Sequence, residues 1–125
     1  MEAYPGARSA SARSASARSR EITVPGGTIL CRHMPAIGTP SQPVLFLPGW
    51  GAVLAGFEAV IEAIDPAVEI YYLETREKGS SRMQRGASFS MPRTAADLGD
   101  TAAALGLQEH GYVLMGSSFG ASVAA

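Results

Sequence analysis

Cys31 is the only cysteine in the chain, so there is neither an intrachain disulfide nor a cysteine-built zinc site. Such usage fits a reducing compartment, and cytoplasmic residence is the expectation. No activating partner for the thiol is legible, so Cys31 reads as a small buried hydrophobe. Long apolar runs are missing too. Charges, Gly or Pro interrupt every stretch before it reaches the roughly 18 residues of a membrane-spanning helix. No apolar signal-peptide core is present. A soluble protein without a membrane partner is expected.

Acidic residues are scarce at the start, where residues 1–20 hold four Arg against Glu2 alone. Residues 21–125 reverse the balance, with six Lys+Arg against ten Asp+Glu behind a formal net charge of −1. A mildly acidic body argues against nucleic acid as a partner. Large apolar side chains are absent from residues 7–20, an Ala-Arg-Ser-Ala-Ser repeat. Such a segment cannot offset the entropy of ordering. Residues 1–20 are therefore expected to be a disordered Ala/Arg/Ser tail, and 21–125 the folded unit. The Arg/Ser richness is shared with organellar transit peptides. A period of five, however, advances about 140° per repeat on a helix and spreads the arginines round its axis.

From Glu21 the pattern is regular. Two strands, Glu21 to Val24 and Thr28 to Met34, flank a Pro25-Gly26-Gly27 turn. His33 falls inside the second and reads as structural or surface. Val44 to Leu47 is a short continuous apolar run, as in a strand buried on both faces. Leu54, Phe57, Ile61 and Ile64 then recur at helical spacing. Val68 to Leu73 is a further strand, and residues 74–91 a polar, basic loop. Ser90 can cap a helix starting near Pro92 with Ala95, Leu98, Ala102 and Leu105 on one face, and Gly106 ends it. Tyr112 to Met115 is the last strand. Strands alternating with helices predict an α/β fold, a mostly parallel sheet flanked by helices. In such sheets, chemistry sits at the carboxyl ends of the strands.

Gly116-Ser117-Ser118-Phe119-Gly120 leaves the last strand in the pattern G-x-S-x-G, the nucleophile elbow. A serine on a sharp strand-to-helix turn takes a strained backbone, and the positions two before and two after it have room only for tiny side chains. Register selects Ser118, because taking Ser117 would place Met115 and Phe119 at the tight positions. A structural Gly/Ser turn is the plainer alternative. A serine attacking an acyl carbonyl also needs two N–H groups aimed at the developing oxyanion. The Phe119 amide can supply one and the Trp50 amide the other, with Gly49 and Gly51 letting the loop approach the substrate. An ordinary strand-ending Pro-Gly turn is the alternative there.

These motifs together resemble the α/β-hydrolase superfamily over residues 21–125. Val44-Leu-Phe-Leu-Pro-Gly-Trp-Gly51 is similar to that family's oxyanion loop, usually His-Gly-x-Gly. Its nearest form is the His-Gly-Trp-Gly of the carboxylesterase of biotin synthesis, with Pro48 in place of His. Tyr72-Leu-Glu-Thr-Arg-Glu-Lys-Gly-Ser-Ser81 is similar to the strand-4 loop Asp-x-Arg-Gly-x-Gly-x-Ser, with Glu74 and Glu77 as departures. Thr94 to Leu105 resembles the helix before the elbow. The resemblance implies a serine hydrolase of carboxylic esters or related acyl compounds, acting on a small-molecule acyl substrate without a cofactor or metal. Acyltransferases and thioesterases share the same elbow. A non-catalytic fragment or binding module of this fold is the rival reading. The basic group Arg76, Lys78, Arg82 and Arg85 reads as a solvated loop, or as a site for anionic substrates.

In this family the triad order is Ser, then Asp or Glu, then His. No Asp, Glu or His follows Ser118, and both histidines, His33 and His110, precede it. The expectation is a fold truncated after the elbow, lacking the triad acid and His. Such a chain is inactive alone and needs the missing C-terminal half to cover its last strand.

Overall fold

The computed structural model describes residues 13–39 and 41–125. Seven residues, Arg18–Val24 (β1), pair antiparallel with Gly27–Met34 (β2), and β2 pairs antiparallel with Ile70–Glu74 (β4). Val44–Leu47 (β3) lies parallel between β4 and Val113–Gly116 (β6). A two-residue strand, Arg82–Met83 (β5), pairs with β2 at Thr28 and Gly27. The order is therefore β1-β2-β4-β3-β6. The mostly parallel sheet expected from the alternation is a mixed one, because the β1–β2 hairpin enters antiparallel.

Side-chain alternation along the central strands builds one core on each face. Leu45 and Leu47 of β3 join Leu73 of β4 with Leu98, Ala102 and Val123 on one face. Val44 and Phe46 join Ile70, Tyr72 and Ile61 on the other. Every residue of β3 and β4 is buried, which is why these strands read as continuous apolar runs. The first face is covered by Met91–Ala104 (α2) and Phe119–Ala124 (α3), the second by Glu58–Ala63 (α1). No helix among the described residues is long and apolar enough to cross a membrane.

The helix expected from Leu54 begins as a 3-10 turn, Leu54–Phe57, before α1. Ser90 caps α2 as its residue type predicts, accepting from the Arg93 amide at 3.3 Å. Order reaches further back than Glu21. Arg18, Ser19 and Arg20 extend β1 opposite His33, Arg32 and Cys31, so the disordered tail expected over 1–20 is too long at its C-terminal end. The reason is the ladder: eight-residue β2 offers backbone partners to residues with no apolar side chain to bury. Arg13 adds a hydrogen bond to the Val68 carbonyl. Residues 1–12 lie outside the described residues.

Candidate active site at the carboxyl ends of the strands

Ser118 has φ 54° and ψ −117°, the one positive φ outside glycine among the described residues. A serine held there stores on the order of 1–3 kcal/mol of strain. The turn is fastened on both sides. The Ser117 amide donates to the Leu47 carbonyl at 3.0 Å, and α3 starts at once with the Ala121 amide on the Ser118 carbonyl at 3.0 Å. Both flanking glycines are sterically required. A Cβ at Gly116 would lie 2.6 Å from the Ala121 Cα, and one at Gly120 only 2.1 Å from the Leu47 carbonyl oxygen. Ser118 itself remains exposed.

The loop after β3 comes up against this turn. A Cβ on buried Gly49 would sit 3.3 Å from both the Ser117 carbonyl oxygen and the Ser118 Cβ, and 3.8 Å from the Ser118 Oγ. Gly51, at φ 67°, turns the loop away again. Between them Trp50 is 69% exposed and meets Phe119 edge-to-face, with ring centroids 5.4 Å apart. Neither the Trp50 nor the Phe119 amide has an acceptor among the described residues. The elbow and the glycine loop are thus brought together, with two open backbone donors at their junction.

The third loop, after β4, departs from the solvated reading of its basic group. Arg76 is buried and forks onto Asp97 of α2, with Nε–Oδ2 at 2.6 Å and Nη2–Oδ1 at 2.8 Å. It also donates to the Ser88 and Pro25 carbonyls. Lys78 donates to the Gly49 carbonyl at 2.6 Å and the Ala52 carbonyl at 3.1 Å. Only Arg82 and Arg85 face solvent, Arg82 beside Glu21. Burial pushes the Glu74 carboxyl above its ordinary range, against the opposing pull of Arg32 and Lys78. The Ser81 hydroxyl ties the loop down by donating to the Glu74 carbonyl at 2.6 Å.

Asp97 is a residue that the apolar pattern of α2 passed over. Its signal was available: Thr94, Asp97 and Thr101 recur at helical spacing on the buried side of the helix. An Asp on a buried helical face calls for a cation.

His33 and His110 stand at the end of the sheet where β4 and β6 begin, His33 near the carboxyl end of the antiparallel β2. His33 pairs with Glu69 and stacks on Tyr71, and His110 is exposed just before β6. Cys31 is fully buried, and that burial pushes its thiol up to about 12, in keeping with a packing role. No group of three His, Cys, Asp or Glu that could hold a metal occurs among the described residues.

No protein-family profile and no curated protein matches the chain. Solved structures do. A protein of Acinetobacter baumannii assigned as a lipase superposes with a TM-score of 0.75 at 16% identity, covering 99% of this chain and 41% of the other. Aspergillus niger epoxide hydrolase gives 0.72 at 19%, covering 93% and 32%. A bacterial membrane phospholipase A gives 0.74 at 20%, covering 95% and 38%. The chain spans 32–41% of the length of these proteins, and such low identity speaks to the fold alone.

Proposed function

On the premise that this chain carries a portion of the α/β-hydrolase fold, we propose that it serves serine-dependent hydrolysis of carboxylic esters or related acyl compounds, with Ser118 as nucleophile. The observation that carries the reading is the backbone of Ser118, at φ 54° on the strand-to-helix turn with the residue exposed. Strain of this kind persists where the surroundings over-determine it, and it presents the hydroxyl at the head of the sheet. The named neighbours include hydrolases of lipids and epoxides, which supports the hydrolase class.

In this reading the Ser118 Oγ attacks the acyl carbon and forms a tetrahedral adduct. The former carbonyl oxygen gathers negative charge between the Trp50 and Phe119 amides, which have no competing acceptor among the described residues. The adduct collapses to an acyl-serine as the alcohol leaves, and water releases the acid. A serine at its free pKa is a poor nucleophile, so a base must take the Oγ proton, oriented by a carboxylate. His33 and His110 are at the end of the sheet opposite Ser118, and residues 119–125 hold no Asp, Glu or His. We assign base and acid to polypeptide outside these 125 residues and expect no turnover from the chain alone. A cytoplasmic setting belongs to the same reading, supported by the lone, buried Cys31.

A fluorophosphonate probe applied to the protein in its native cell extract tests the assignment. Mass spectrometry should place the label on the peptide containing Ser118, and Ser118→Ala should abolish it. Equal labelling of the alanine variant would sink the reading.

A further inference from the structure

Lys78 ends in an arrangement uncommon for a lysine. Its side chain is 8% exposed, its ammonium reaches two backbone carbonyls, and the nearest carboxylate oxygen, on Glu77, stands off at 4.0 Å. Both carbonyls, Gly49 and Ala52, belong to the loop that abuts Ser118. In the loop pattern Asp-x-Arg-Gly-x-Gly-x-Ser, Lys78 falls on an unspecified position, so that pattern does not single it out.

The Gly49 carbonyl and the Trp50 amide are two ends of one peptide group. That group is trans, as no cis bond occurs among the described residues, so its C=O and N–H point in opposite directions. Anchoring the oxygen on Lys78 therefore turns the Trp50 N–H away from Lys78. A charge-assisted bond to the oxygen also polarises the whole amide, drawing electron density from its nitrogen and strengthening the N–H as a donor. The second bond, to Ala52, spans the glycine-flanked turn and stops the peptide from flipping, a freedom that Gly49 and Gly51 otherwise allow. The Ala52 amide closes the same turn by donating to the Gly49 carbonyl at 3.3 Å.

We propose that Lys78 is the positioning residue of the oxyanion loop: its ammonium grips the Gly49 and Ala52 carbonyls, sets the direction of the Gly49–Trp50 peptide and sharpens the Trp50 N–H. The proposal rests on reading that N–H as an oxyanion donor. Lys78 touches no reacting atom; it acts through the peptide bond. A lysine merely filling space would hold the loop without setting the character of one amide.

Two measurements separate these roles. In the 15N-labelled native protein, the Trp50 amide proton should lie downfield in the wild type, move upfield in Lys78→Met, and stay downfield in Lys78→Arg, which keeps a cationic donor. Lys78→Gln retains a neutral donor and serves where the Met variant does not fold; its Trp50 proton should also move upfield. An unmoved Trp50 proton in a folded neutral variant overturns the clamp, whatever the reactivity of Ser118. In native protein, Lys78→Met should slow fluorophosphonate labelling by roughly ten-fold or more, with Lys78→Arg recovering most of the rate. Labelling of Lys78→Met at the wild-type rate while Ser118→Ala stays blank overturns the clamp and leaves the nucleophile standing. Labelling of Ser118→Ala like the wild type overturns the nucleophile, and the amide shift still decides the clamp.

Discussion

The two ends of the sheet use polar chemistry in different ways. At the amino end, His33 stacks on Tyr71 with centroids 4.5 Å apart, and both side chains bond the Glu69 carboxylate, Tyr71 donating at 2.9 Å. In this cluster side chains satisfy side chains, although Arg13 beside it holds the Val68 carbonyl. At the carboxyl end, charged side chains hold backbone. Arg76 bonds the Pro25 and Ser88 carbonyls as well as Asp97, and Lys78 bonds Gly49 and Ala52. Positive ends directed at carbonyls fix loops that would otherwise be soft, and they leave amide donors open beside an exposed serine. Preorganised donors of this kind are what acyl transfer needs. The lesson is that a site can be read from where the backbone, more than the side chains, has been immobilised.

The contrast can be broken by substitution. Asp97→Ala should have the largest effect. It strands a guanidinium with 1% side-chain exposure, and removing one partner of such a pair costs about 3–5 kcal/mol, read by urea unfolding. The matching change at the amino end, Glu69→Gln, touches partly exposed groups and should cost roughly 1 kcal/mol. Equal losses would erase the distinction. Gly120→Ala comes next, at about 3 kcal/mol, because its Cβ meets the Leu47 and Pro48 backbone, which cannot swing aside. A wild-type midpoint in that variant would mean that the elbow sits further from β3. Ser118→Gly has the smallest effect and the opposite sign: relief of the positive φ should raise stability by about 1 kcal/mol. Loss of stability in that variant would show that Ser118 is not strained.

Much of this was legible along the chain. Short apolar runs marked β3 and β4, helical spacing marked the buried sides of α1 and α2, and Ser90 and Gly106 marked where α2 starts and stops. Gly116-x-Ser118-x-Gly120 located the turn that the structure then showed to be strained. Two things stayed hidden. The extension of β1 to Arg18 depends on the length of its partner strand, a non-local property. The different fates of Arg76, Lys78, Arg82 and Arg85 depend on which loop atoms come within reach, and four basic residues in a row of polar neighbours look alike until the chain is folded.

By itself the sequence determined periodicity, turn chemistry and the position of the elbow, because each follows from local sterics and hydrogen bonding within a few residues. The tertiary structure alone decided what meets what. Asp97 meets Arg76 across 21 residues and Lys78 meets Gly49 across 29, separations over which no spacing rule operates. The second meeting exists because β3 and β4 lie parallel, which delivers the loops after them to the same end of the sheet, and the first because α2 packs over the face beside the β4 loop.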